Sequence, residues 1–180
     1  MSASTSLSGL RCLDDREVRE HVHGGRHVRA RRRKLALESA AEPLALRQLT
    51  PWKQAPLGRV LLVHGLAQNR RTWRQRQRSF EAGLVERGYE VFNLELRGHG
   101  NSRRLGSRPA DGVDAYVADL RALLPQLGGE VYAMGHSLGA GVLVRAALDG
   151  LRFAGLVHYA GVFTFAESNW LLQGVATATH

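Results

Sequence analysis

The chain has 180 residues, 44% of them hydrophobic and 23% charged, the balance of one soluble globular domain whose core holds without staples. Its single cysteine, Cys12, excludes an internal disulfide framework and any cysteine-based zinc spacing, and fits a reducing, cytoplasmic setting. The formal charge of +9 comes from 25 basic residues against 16 acidic ones, 23 of the basic ones arginine; they are scattered and not interleaved with base-stacking aromatics, so no nucleic acid is expected as a partner.

Residues 1–31 lack sustained apolar periodicity and contain Gly24-Gly25, which predicts a basic, flexible tail with at most a short helix near Leu13–Glu20. Asp14 and Asp15 precede any apolar run long enough for a signal-peptide core, and nothing later approaches the ~18 apolar residues of a membrane span. His21, His23 and His27 lie in this tail without a scaffold, so no metal site is implied. Arg26–Lys34 carries six positive charges and no negative one, a water-facing run able to steer anionic ligands.

The second predicted unit covers residues 32–180. Leu35–Leu37 and Leu44–Leu49 read as an antiparallel pair around Ala-Ala-Glu-Pro. Arg59–Val63 is a continuous apolar run stopped by His64-Gly65, the pattern of a strand buried on both faces. A helix over Ser79–Arg87 with Gly88 past its end, a strand over Val91–Leu96, and a helix over Asp111–Leu127 with Pro125 disturbing its last turn follow. Val131–Met134, Leu138–Asp149 and Ala154–Ala160 continue the alternation as strand, helix and strand. The class is α/β, a mostly parallel sheet flanked by helices.

Between the third of these strands and its helix lies Gly135-His136-Ser137-Leu138-Gly139, a G-x-S-x-G pentapeptide. A strand running straight into a helix turns sharply at the serine, and flanking glycines allow the close backbone approach; the hydroxyl then stands at a helix N-terminus, where developing negative charge is favoured. Acyl transfer also needs donors to the tetrahedral oxyanion. The Leu138 N–H supplies one, and the Leu66 N–H, in the loop after the first central strand, is expected to supply the second.

Three segments together resemble the α/β-hydrolase superfamily, in its esterase, lipase and lysophospholipase-like branch: Val60–Asn69 with His64-Gly65-Leu66, Gly88–Ser102 with Arg97-Gly98-His99-Gly100, and Gly135–Gly139. The resemblance covers roughly residues 32–166. It implies an ester or lipid substrate, Ser137 as nucleophile, Leu66 and Leu138 as oxyanion donors, and His64, Gly65, Gly135, His136 and Gly139 as motif scaffold, with no cofactor and no metal. His99 is likewise expected to be structural, and Trp73 to line the acyl pocket or pack its loop.

In this superfamily an acid and then a histidine follow the serine. The candidates are Asp149, at the far end of the serine's helix; His158, expected as a packed mid-strand residue; Glu167, after the fourth strand; and His180. None completes the pattern, and Asn169–Leu172 resembles the opening of a cap. The expectation is therefore a partial hydrolase domain, incomplete at its C-terminus, whose strand Ala154–Ala160 is an exposed edge inviting self-association or a complementing chain. Thioesterase, peptidase and acyltransferase chemistry at the same serine stays open, and two further alternatives stand beside the esterase: a non-catalytic hydrolase-like domain or subunit completed by another polypeptide, and an anionic-polymer binder acting through Arg26–Lys34.

Overall fold

In the computed structural model, which describes residues 9–38, 41–75 and 78–161, the chain opens with a long hairpin. Strands β1 (Leu10–His21) and β2 (His27–Leu37) pair antiparallel from Leu10↔Leu37 to His21↔His27, turning through Gly24 and Gly25 at φ 58° and 78°. β2 pairs on its other side with β3 (Leu44–Pro51), placing Leu37 opposite Leu44 and Leu35 opposite Leu46, as the sequence predicts.

This hairpin corrects the expectation of a flexible tail through residue 31 and of a helix near Leu13–Glu20; residues 1–8 lie outside the described part. Charge pairing lines the hairpin's outer surface. β1 sets its acids against the basic run of β2: Arg31 and Arg33 reach Asp15 at 2.6 and 3.1 Å, Arg32 and Lys34 approach Asp14 at 3.6 and 3.8 Å, and Arg29 pairs with Glu17. The Arg31 and Arg33 guanidinium groups hold the Asp15 carboxyl below its usual range, Arg31 most strongly. A strand with charged side chains on both faces carries no apolar alternation to read, although Val18, Val28 and Ala30 still anchor it to the core. The same pairs consume charge that an anionic polymer would need.

β4 (Gly58–Val63) is followed by a 3-10 turn (Arg70–Trp73) and two-residue strands β5 (Arg74–Gln75) and β6 (Arg78–Ser79), which lead to α1 (Phe80–Glu86). The Ser79 hydroxyl caps α1, accepting from the Ala82 N–H at 3.1 Å. Then come β7 (Tyr89–Glu95), α2 (Gly100–Arg104), α3 (Val113–Leu127), β8 (Val131–His136), α4 (Leu138–Leu148) and β9 (Gly155–Tyr159). Pro125 does not shorten α3, which ends at Gly128 in a positive-φ conformation. The large sheet runs β1-β2-β3-β7-β4-β8-β9; β3 meets β7 antiparallel, and β7, β4, β8 and β9 are parallel.

Side chains alternate across this sheet. Leu61, Val63, Phe92 and Leu94 face a core closed by Leu120, Leu123 and Leu127 of α3 and Val142, Leu143 and Ala146 of α4. Val60, Leu62 and Val91 face a smaller core closed by Trp73 and by Val85 of α1. On that second face the strands also bury charge: Arg47 and Asn93, opposite one another on β3 and β7, both meet Glu81 of α1, at 3.5 and 2.9 Å, and Arg47 also meets Glu20 at 2.5 Å. Burial pushes the Glu81 carboxyl up, against the opposing pull of Arg47 and Asn93.

At the other edge, β9 departs from expectation in one respect. His158 is not packed in the core but exposed, as are Leu156, Val157 and Tyr159, because nothing among the described residues covers that edge.

The two kinds of charge pair differ in burial and hence in worth. Glu20→Ala removes the closer of the two carboxylates that meet buried Arg47, leaving Glu81 at 3.5 Å, and is expected to cost about 3 kcal/mol, whereas Asp15→Ala, on the exposed hairpin, is expected to cost less than about 1 kcal/mol. Urea unfolding of both variants measures the gap, and equal losses would contradict the buried pairing.

Candidate active site at the carboxyl ends of the parallel strands

β4 and β8 are neighbours in parallel register, with Val63 beside Gly135. Their ends therefore deliver the His64-Gly65-Leu66 loop and Ser137 side by side, at the sheet edge where open α/β folds bind ligands. An added Cβ on Gly65 would lie 3.1 Å from the Ser137 Cβ and 3.0 Å from His136 Nδ1, which shows how closely the loop rests on the turn.

Ser137 itself adopts φ 51°, ψ −116°, a left-handed conformation that a serine takes at a cost of roughly 1–3 kcal/mol. The surroundings impose it. The Ser137 N–H donates to the Tyr159 carbonyl at 2.9 Å, and its own carbonyl accepts from Ala140 and Gly141 N–H groups at 3.0 and 3.2 Å. Both glycines of the pentapeptide are sterically required: a Cβ on Gly135 would lie 2.4 Å from the Ala140 nitrogen, and one on Gly139 2.5 Å from the carbonyl oxygens of Val63 and His64. These obstacles are backbone, which cannot yield as a flexible side chain would.

Three histidines brace the strand ends. His64 is fully buried; its Nε2 accepts from the Leu96 N–H at 3.1 Å, which leaves Nδ1 to donate to the Gly65 carbonyl at 2.8 Å. Burial pushes its pKa down to about 4 despite the Gly65 carbonyl, so it is neutral at ordinary pH. His99 Nε2 accepts from the Ala67 N–H at 3.2 Å, while its Nδ1 donates to the Arg97 carbonyl at 2.8 Å. Arg97 is anchored in turn by two hydrogen bonds to Asp119 of α3, at 2.7 and 2.5 Å. His136 Nδ1 donates to Gln68 Oε1 at 2.9 Å.

Gln68 carried no motif in the sequence, yet its Oε1 also accepts from the Gly65 N–H at 2.9 Å and the Thr72 hydroxyl at 3.0 Å. The Gly65 and Ala67 N–H groups are thus both engaged, whereas the Leu66 and Leu138 N–H groups have no hydrogen bond among the described residues. Leu138 is buried in the main core and Leu66 packs against it.

The remaining candidates are placed elsewhere. Trp73 packs in the core under α1, its ring 5.8 Å from Phe80, rather than along an acyl pocket. Asp149 caps the far end of the 11-residue α4, about 18 Å from the serine by helical rise, and its carboxylate accepts from Arg145 at 3.1 Å. His158 lies on the exposed β9, opposite Gly135. Glu167, His180 and Asn169–Leu172 lie outside the described residues. Among the described residues no histidine or carboxylate hydrogen-bonds to Ser137, and no three metal-ligating side chains cluster.

The profile of the alpha/beta hydrolase family matches residues 60–179. The chain belongs to the alpha/beta hydrolase family. A Schizosaccharomyces pombe protein whose name is that of a monoglyceride lipase is 30% identical to this hydrolase-family chain over 142 residues, covering 71% of the chain and 36% of that protein. A non-heme haloperoxidase of Rhodococcus erythropolis is 41% identical over 63 residues, covering 34% of this chain and 22% of its own. Among solved structures, a thermostable carboxyl esterase from Bacillus coagulans in complex with glycerol superposes with a TM-score of 0.62 at 20% identity, over 80% of this chain and 49% of the esterase. The monoacylglycerol lipase of Paleococcus ferrophilus gives 0.55 at 20% identity, over 75% and 50%. These two likenesses establish the fold. The hydrolase-family chain spans half or less of the length of each of these four proteins.

Because the native state holds His64 neutral with a pKa depressed to about 4, its contribution to stability is complete above the ordinary value of 6.5 and is lost as pH falls toward 4. The His64 imidazole is expected to show no NMR titration between pH 7.5 and about 5, while the urea midpoint declines below about pH 6.5. A His64 titration centred near 6.5 would show that the ring is not held as described.

Proposed function

We propose that this chain is a serine hydrolase of carboxylic esters, with Ser137 as nucleophile and the backbone N–H groups of Leu66 and Leu138 as oxyanion donors. The observation that carries the reading is the left-handed conformation of Ser137, wedged between two glycines whose places no larger residue can take. Strain of this kind persists only where the surroundings hold it, and here it presents a hydroxyl at the start of α4. Two N–H groups on the adjoining loop and helix, those of Leu66 and Leu138, have no partner among the described residues, which supports the second half of the reading.

In this scheme Ser137 Oγ adds to the acyl carbon and passes its proton to a base. The carbonyl oxygen takes up the negative charge facing Leu66 and Leu138, and the tetrahedral adduct then collapses, with the alcohol leaving as it takes the proton back. Water repeats the sequence on the acyl-enzyme, returning the free serine and a carboxylic acid. The esterase and lipase names among the relatives favour an ester or lipid substrate. No described helix is long and apolar enough to cross a membrane, and the lone exposed Cys12 accords with a cytoplasmic setting.

The exposed apolar edge at β9 favours a second reading, in which another polypeptide lies against that edge and brings the base to Ser137. A fluorophosphonate probe separates the two. Prompt labelling of the purified chain, abolished in Ser137→Ala together with ester turnover reduced on the order of 10⁶-fold, is the expected result. Labelling only after addition of cell extract supports the second reading. No labelling under either condition overturns both.

A further inference from the structure

The loop after β4 offers three consecutive N–H groups, those of Gly65, Leu66 and Ala67, and the structure disposes of two. Ala67 N–H is taken by His99 Nε2 at 3.2 Å and Gly65 N–H by Gln68 Oε1 at 2.9 Å. Gln68 also closes the loop from the opposite side, its own N–H donating to the Gly65 carbonyl at 3.3 Å. Leu66 is therefore held between two pinned neighbours. The same Oε1 accepts from His136 Nδ1, and His136 immediately precedes Ser137. One carboxamide oxygen thus connects the loop that carries the Leu66 N–H to the strand that ends in the serine.

We propose that Gln68 is a positioning residue, which sets the distance between the Leu66 N–H and Ser137 Oγ by bonding simultaneously to Gly65 and His136. This rests on the serine-hydrolase reading above. An amide oxygen suits the role because it only accepts: all three of its partners are donors, and the contact obliges His136 to carry its proton on Nδ1. A free neutral imidazole favours the proton on Nε2, so the tautomer reports the contact without reference to catalysis. A leucine at this position would match the size of the side chain but accept nothing, releasing the Gly65 N–H and the His136 ring together. A glutamate would keep the accepting oxygen.

Fluorophosphonate labelling rates and ester kinetics on the full chain, with ¹⁵N NMR of the His136 ring, provide the test. In the wild type His136 is expected to be protonated on Nδ1. Gln68→Leu is expected to shift that proton to Nε2 and to slow acylation about 10- to 100-fold through kcat with little change in KM, the range that displacement of a reacting group by about an ångström produces. Gln68→Glu is expected to recover most of the rate. A wild-type His136 protonated on Nε2, or Gln68→Leu labelling as fast as the wild type, overturns the proposal while the serine-hydrolase reading stands. A Gln68→Leu variant faster than Gln68→Glu assigns the side chain to packing and overturns it too. If the wild type never labels, the serine-hydrolase reading fails and the catalytic role of Gln68 fails with it, whereas the tautomer still shows whether the contact exists.

Discussion

The seating of α4 on the end of β4 governs the geometry of this molecule. The first turn of the helix lies against the carbonyl oxygens of Val63 and His64, at a separation that Gly139 permits and any side chain would obstruct, and Gly135 allows the same turn to fold back over its own strand. With the helix so close, the link between β8 and α4 has no room for a relaxed loop, and Ser137 must reverse the chain in a single left-handed residue. The conformation of the serine is thus a consequence of packing between a strand and a helix.

Around that turn the strand ends are cross-linked by polar contacts. His64 joins the end of β4 to Leu96 past β7, His99 joins the loop after β7 to the loop after β4, and the Tyr159 carbonyl on β9 receives the Ser137 N–H. The two bracing rings next to the loop, His64 and His99, both use Nδ1 as donor and Nε2 as acceptor, which neutral imidazole alone provides. They therefore act as fixed spacers between the strand ends.

The central part of the fold was legible because its residues obey one rule at a time. Arg59–Val63 is apolar on both faces, Ser79 and Gly88 punctuate α1, and the pentapeptide falls where a strand meets a helix, so the class and the place of Ser137 follow from spacing, whereas the strand order β3-β7-β4-β8-β9 is set by tertiary packing. The hairpin was not legible, since Asp14, Asp15 and Glu17 acquire meaning only opposite Arg29–Lys34, a pairing that depends on a turn at Gly24-Gly25 that also reads as disorder. Gln68 was hidden for a different reason: a carboxamide in a loop is unremarkable until three donors converge on it. His158 is exposed because an edge strand does not confer the burial that a central strand does.

The two margins of the sheet are built differently. β1 is lined with charge and interrupted by a register shift between Cys12 and Asp14, features that discourage a further strand from joining. β9 is smooth and apolar. Among the described residues the sheet thus has one charged margin and one apolar margin, and a strand added parallel to β9 would end on the rim that carries Ser137.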